Sequence, residues 1–557
     1  AEGEVLRVKR GEVTQVKLTT GEIVWVRPEF FTSEARPVAA EPEGVLEGVQ
    51  SDFELGSDEE VEDIELEEGE QEDSFSVRNP GRTEQGWVPT YPIRQDQRIL
   101  DGYTRNFTPH LRGVDEASRD SPWAYFWAFF PVAALDEALG IMLRAGRQKW
   151  ADFQMSRHLF FTWLGVWFRM CADKLRDRDS HWVEGAATAQ WYRETMSAET
   201  FKRIHAVLQV PQYPPDALEK VEEAGLGEDK FQWIRRWLHA CNDSFKAAWE
   251  PGTYLTVDET MVFWTGMGPV HLTYIPRKPS PLGVMFKVTC CSESGILLHA
   301  ELVEGAVVDG QKRYVTEYRA TTACTLRLTE PWWATGRVVI ADAWFGSVRT
   351  VEELLDVGLY AIVCVKQGCA GFPRAALREV LKQRGDVAFF EATVGIDKGG
   401  RKEFKKVYAG GHMDKQPLIV CFSTGTTLPG EKKVRHRSKL QQGEVVKAQY
   451  TLEQPQVHAL YRKYFNAVDL FNKASGQPGT LPDVWKTKKA YRRLFAATVA
   501  WIETNAMLAF NKNRASSKLT KQQWFMRLSE ACINNPFAPP RPGAADIFQG
   551  HGGPKMD

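Results

Sequence analysis

Two aspartates stand in stretches where a carboxylate is costly. Asp258 interrupts the run TYLTVDETMVFW, and Asp342 follows Val338, Val339 and Ile340. An acid inside an apolar strand costs several kcal/mol unless it faces a cleft or a cation. Strand alternation turns Glu259 to the face opposite Asp258, so only one of that adjacent pair can point into a shared site. Carboxylates converging from separate elements are hard oxygen ligands for Mg²⁺, which keeps several of its waters. A pair of divalent ions about 3.5–4 Å apart serves phosphodiester chemistry by holding both the attacking and the leaving oxygen. Taken one at a time, each aspartate fits a strand end or a turn at least as well.

The elements around these acids follow from the hydrophobic period. From Thr253 the chain reads as strands, TYLTVDETMVFW, VMFKVTCC and ILLHAELVEG, then a helix-like stretch and the strand RVVIADAWFG. A helix over Val348–Val357 and a strand over Leu359–Val365 come next. Three hairpin-connected strands, a helix, and a strand with an acid at its end are the order expected of an RNase H-like sheet. Before it, Pro131–Ala145, Leu159–Asp177, Ser197–Leu208 and Phe231–Trp249 carry apolar residues at helical spacing, and their Trp and Phe residues read as core. The helical pattern returns from Tyr461 to Asn511. Residues 367–455 are less regular, basic and Gly-rich, and read as a loop-rich insertion.

The N-terminal run EVLRVKRGEVTQVKLTTGEIVWVRPEFF alternates in three short stretches with Gly-containing turns, the pattern of a small β segment. A plain β appendage and a chromatin-reader barrel both fit it. The chain has 557 residues and a net charge of −2, but between Glu41 and Asp73 lie 16 acids and no base. The remainder holds 70 basic against 56 acidic residues, a balance that suits a polyanion partner. The acidic run reads as a solvated linker, with a DNA-imitating cover for a basic surface as the alternative. Nine scattered cysteines point to reduced thiols. The apolar stretch Trp123–Leu143 carries Asp136 and Glu137, so no membrane span is expected, and the first residues do not show the charged-then-apolar pattern of a leader. There is no Gly-rich phosphate loop, no Gly-x-Ser-x-Gly elbow and no His-Glu-x-x-His helix, which argues against nucleotide hydrolysis, serine hydrolysis and zinc proteolysis.

The segment YLTVDETMVFWTGMGPVHLTYIPRKPSPLGVMFKV resembles the first catalytic block of piggyBac transposases: an Asp-Glu pair, a strand, a Gly turn and Tyr-Ile-Pro-x-Lys-Pro. ADAWFGS resembles the second block, YRKYFNAVDLFNKASG the third, and ETNAMLAF the helix that follows it. MSAETFKRIHAVLQV is similar to the family's segment upstream of the catalytic domain, so the likeness runs from about Ser118 to Asn511.

This resemblance implies a DDE transposase that nicks transposon ends, forms hairpins and joins strands at TTAA sites. It implies that Asp258, Asp342 and Asp469 bind two Mg²⁺ ions, with Mn²⁺ as the substitute, and that a homodimer on double-stranded DNA works in the nucleus. The implied architecture is α/β, an RNase H-like core inserted into an all-α dimerisation and DNA-binding domain, with the small β segment in front. Its expected boundaries are the β segment at 1–38, the acidic linker at 39–80 and the helical domain at 95–250 and 475–535. The catalytic domain falls at 251–366 and 456–474, the basic insertion at 367–455 and an unstructured tail at 536–557.

Several positions depart from the family pattern. Asn472 stands where many members have a further Asp, an amide that can ligate a cation but brings no charge. Asn466-Ala467 replaces paired glycines, and the basic residues usual around the first turn are thinned to Thr265-Gly266-Met267-Gly268. The family's cysteine-rich module has no counterpart after Cys421 except Cys532, so no zinc is expected. These departures, with the added N-terminal segments, keep open a domesticated, catalytically silent DNA- or chromatin-binding protein, with the β segment as the chromatin contact. A nuclease without a joining step is the third reading.

Three basic sets are candidates for phosphate contact. The first is Lys402, Lys405 and Lys406 with Tyr408, followed by Lys432, Lys433, Arg435, Arg437 and Lys439. The second is Trp485 with Lys486, Lys488, Lys489, Arg492 and Arg493 at a helix start, where backbone amides could join them. Arg277 and Lys278, beside the prolines of the first block, are expected to position the DNA strand near Asp258. A solvated face is the alternative for each.

Overall fold

The computed structural model describes residues 86–538, apart from 214–228 and several shorter runs, together with the strands at 3–9, 13–18, 23–26 and 76–77. The chain divides into two compact units, Ala1–Glu60 and Val61–Asp557. In the first, β1 (Gly3–Lys9), β2 (Val13–Leu18) and β3 (Ile23–Val26) form an antiparallel meander from the three alternating runs. Of the stretch expected as an acidic linker, only Ser76–Val77 (β4) is described, and it pairs in parallel with the edge of the main sheet.

The second unit is built on a mixed sheet of 11 strands. After the short β5 (Val88–Pro89), and the pair β6 (His110–Leu111) and β7 (Trp249–Glu250), come its central strands. These are β8 (Tyr254–Phe263), β9 (Thr273–Tyr274), β10 (Leu282–Cys291), β11 (Leu297–Leu302), β12 (Val338–Ala341) and β13 (Tyr360–Cys364). β14 (Asp386–Lys398), β15 (Arg401–Met413) and β16 (Pro417–Phe422) complete the sheet, in the order β11-β10-β8-β12-β13-β16-β15-β14-β4. β8, β10 and β11 are antiparallel neighbours, whereas β12 runs parallel to both β8 and β13. Parallel neighbours need crossovers, and the helices Ala320–Thr329 and Val348–Asp356 lie before and after β12.

The region expected to be a loop-rich insertion is instead largely sheet. β14, β15 and β16 extend the sheet beyond β13, and only β17 (Lys433–Gln441) and β18 (Glu444–Leu452) form a separate ladder. Phe389, Phe390, Val407, Ala409, Ile419 and Val420 are buried in the same core as β12 and β13. Burial of adjacent residues on both faces holds the base of the long hairpin in the sheet, and the charge density near its turn obscures the strand period in the sequence.

Helices that precede and follow the sheet in the sequence share the other core with β8, β10 and β11. Their starts are set locally: Ser121, Ser156 and Ser197 each accept a first-turn N–H, and Thr520 forms a reciprocal capping box with Gln523. The Ala490–Lys512 helix packs against Pro122–Phe129 and Gln232–Ala248, and Lys521–Ile533 packs along Arg157–Asp173. That last contact is close because residue 165 is glycine: a Cβ there would lie 3.0 Å from the Ser529 carbonyl oxygen. Phe537, in the stretch expected to be unstructured, stacks on Phe161 and lies under the Arg157 guanidinium. All nine cysteines are free thiols. Among the described residues no single helix is long and apolar enough to cross a membrane, and the one pair passing that test together is bent by 84°.

Candidate metal-binding carboxylate site

The register of two parallel strands brings the first two acids side by side. Val257 on β8 stands opposite Ala341, the last residue of β12, so Asp258 and Asp342 are the next positions along neighbouring strands. Such strands lie about 4.8 Å apart. The Asp342 carboxylate accepts the Trp344 N–H at 2.8 Å, and its backbone carbonyl accepts the Gly346 N–H at 3.0 Å. This turn is tight against β13: a Cβ on residue 346 would sit 1.7 Å from the Cys364 carbonyl oxygen, so only glycine fits. Asp258 accepts the N–H of Glu259 at 2.8 Å.

Asp469 comes from the first turn of the Ala467–Gly476 helix, which packs on β8 and β10. Its charge reaches the strand pair. Burial and the neighbouring Asp342 carboxylate, with a smaller contribution from Asp469, push the Asp258 carboxyl up to about 7, against the opposing pull of the Glu259 N–H. Hard oxygen donors crowded by like charge suit a divalent cation, which would relieve the repulsion, so the residues present fit Mg²⁺ or Mn²⁺. Among the described residues no three His, Cys, Asp or Glu side chains stand close enough together to hold a metal ion, so a cation shared by all three acids requires their side chains to draw in.

Asn472 lies one helical turn beyond Asp469. Its amide oxygen accepts the Thr260 hydroxyl at 2.5 Å, and its nitrogen donates to the Glu259 carbonyl at 3.4 Å. The amide expected to serve as a cation ligand therefore ties the helix to β8, the strand that carries Asp258.

The expected basic contacts divide sharply. Lys486, Lys488 and Lys489 are exposed ahead of the Ala490–Lys512 helix. Lys406 and Lys432 are half exposed and paired with Glu391 and Glu453. Lys405 is largely buried between Asp101 and Glu403, and Arg492 is buried with its guanidinium on the Ala206 carbonyl and the Tyr491 hydroxyl. Neither is offered to a phosphate in this arrangement. Tyr408 is likewise buried, stacked on Phe422. Lys433, Arg435 and Arg437 lie on β17, and Arg277 and Lys278 fall outside the described residues.

Sequence reading missed a group directly behind the acids. Lys287 on β10 is buried, 2.9 Å from the Glu259 carboxylate and 3.5 Å from the centroid of the Trp344 ring. Its signal was present: a lysine in the apolar run VMFKVTCC is as conspicuous as an aspartate in the strand beside it.

No curated protein matches the chain. A solved piggyBac transposase synaptic complex with hairpin DNA shares its fold, with a TM-score of 0.55 and 15% identity over 77% of this chain and 83% of that one. The family model described as Transposase IS4 matches residues 121–507, a span that holds Asp258, Asp342 and Asp469 together with most of the helices that precede and follow the sheet in the sequence. The chain therefore belongs to the IS4-type family of DDE transposases.

Proposed function

We propose that this chain is a metal-dependent DNA transposase of the piggyBac kind, with Asp258, Asp342 and Asp469 as its metal ligands. The observation that carries this reading is the placement of Asp258 and Asp342 on adjacent parallel strands, with Asp469 contributed by a helix packed on the same strand. The strand order β11-β10-β8-β12-β13, antiparallel then parallel, supports an RNase H-like catalytic domain. Two divalent ions, when bound, would supply charge stabilisation at the attacking and leaving oxygens of a phosphodiester.

The chain's own contribution is to hold the ligands. The Trp344 N–H orients the Asp342 carboxylate, the turn closed by Gly346 fixes its backbone, and the Asn472–Thr260 hydrogen bond sets the position of the helix bearing Asp469. Exposed Lys486, Lys488 and Lys489 contact the DNA backbone, together with Lys406 and Lys432, while Lys405 and Arg492 are structural. Lysine–phosphate contacts of this kind position DNA without reading its sequence. The structural neighbour, a piggyBac transposase synaptic complex with hairpin DNA, supports DNA as the substrate and a hairpin as an intermediate. We further infer a homodimer acting in the nucleus at TTAA targets.

The test is a Mg²⁺-dependent nicking and joining assay on DNA carrying the element's own ends and a TTAA target, comparing the chain with Asp342→Ala. Nicking in the parent that disappears in the variant is expected. Equal nicking in both, or DNA binding without nicking in either, overturns the catalytic reading.

A further inference from the structure

We propose that Lys287 is a positioning residue that clamps the two segments carrying Asp258 and Asp342 at a fixed separation, and thereby sets the affinity of the site for divalent ions. The inference rests on the metal-binding reading above and deepens it.

Lys287 is only 6% exposed, and an ammonium taken that far from water needs a partner that compensates its lost hydration. It has two, and they belong to different segments. Across the β10–β8 ladder, Lys287 stands directly opposite Glu259, whose carboxylate it meets at 2.9 Å. Glu259 is the residue next to Asp258. On its other side the ammonium lies 3.5 Å from the centroid of Trp344 and 5.2 Å from that of Phe345, both in the turn that follows Asp342. A cation over an aromatic face at such a distance is attracted by the ring quadrupole, more strongly when both are removed from water.

The link to Asp342 is more than proximity in sequence. Trp344 donates its backbone N–H to the Asp342 carboxylate, so the residue whose ring rests on Lys287 is also the one that orients the acid. Strand alternation places Glu259 and Lys287 on the face of the sheet opposite Asp258, so the lysine is not itself a ligand. It holds the two ligand-bearing segments from behind. Removing it leaves Glu259 without this partner and frees the Trp344 ring to move, and the hydrogen bond to Asp342 moves with it.

Glu259→Gln and Lys287→Met change the ion pair, whereas Trp344→Leu leaves the pair intact and removes only the link to the Asp342 turn. The readout is Mn²⁺ binding to the metal-free full-length chain by titration calorimetry, with circular dichroism to verify folding. Parent, Lys287→Met, Lys287→Arg, Trp344→Leu, the double variant Lys287→Met with Trp344→Leu, and Asp342→Asn are compared. Lys287→Met and Trp344→Leu are expected to weaken Mn²⁺ binding about tenfold, and the double variant to weaken it no more than either alone. Lys287→Arg, which keeps both the charge and the ring contact, should recover most of the loss. If Lys287→Met does not fold, Trp344→Leu decides the matter. Mn²⁺ binding at parental affinity in folded Lys287→Met or in Trp344→Leu overturns the clamp while leaving the carboxylate site standing. Absence of Mn²⁺ binding in the parent, or binding unchanged in Asp342→Asn, overturns the carboxylate reading and the clamp with it.

Discussion

Replacing Asp258 by asparagine should make the metal-free chain more stable in alkaline solution and leave it little changed in acid. Burial and the Asp342 carboxylate raise the Asp258 carboxyl from 3.8 to about 7. At about 1.4 kcal/mol per pH unit, ionising it in the folded chain costs up to about 4 kcal/mol more than in the unfolded chain. The sign follows from proton counting. Well below pH 3.8 the acid is protonated in both states and the cost is absent. As pH rises to about 7 the unfolded chain loses its proton first, so stability falls, and above that the full cost is present. Asparagine does not titrate, so its own burial cost cancels when the variant-minus-parent difference is compared at two pH values. That difference should be about 3 kcal/mol more favourable to the variant at pH 8 than at pH 4.5, measured by urea unfolding with a chelator present. Added Mg²⁺ or Mn²⁺ should then stabilise the parent at pH 8 and not the variant. A variant-minus-parent difference that is the same at both pH values refutes the claim that neighbouring charge and burial crowd this carboxyl.

Gly346→Ala forces the turn after Asp342 or the end of β13 to move, because its Cβ would overlap the Cys364 carbonyl oxygen; we expect a loss of at least about 1–3 kcal/mol in unfolding experiments, together with weaker divalent-ion binding. Changing Lys486, Lys488 and Lys489 to alanine should weaken binding to all duplex sequences alike and flatten the slope of log affinity against log salt by about 0.9 for each contact removed, measured by fluorescence anisotropy. An unchanged slope would show that these exposed lysines do not meet phosphate. Burial holds the His458 imidazole well below its usual range, so it stays neutral in the fold while the unfolded chain takes up a proton below about pH 6.5. Its share of stability is therefore lost as pH falls, by about 1.4 kcal/mol per unit, and His458→Gln should flatten the acid limb of the stability profile.

Much of this protein was legible in the sequence because the relevant physics is local. The three alternating N-terminal runs, the strands bearing Asp258 and Asp342 and the helices ahead of them each declare themselves through a hydrophobic period within a few residues. The aspartates stood out because a charge in an apolar strand is costly wherever the strand goes. What the sequence could not decide was which distant groups would meet. Lys405 and Arg492 carry the same charge as their exposed neighbours, yet Asp101 and the Ala206 carbonyl, each about 300 residues away, remove them from the surface. Residues 386–413 became a long hairpin on the main sheet only because β16, itself paired with β13, offers an edge to β15. Asn472 was read by its chemistry as a weak ligand, and the structure gives its amide to Thr260, 212 positions earlier. Lys287 gains its place between Glu259 and Trp344 from one antiparallel register and one parallel crossover. The sequence specified which side chains could do chemistry, and strand register, a property of the assembled sheet, decided which of them act together.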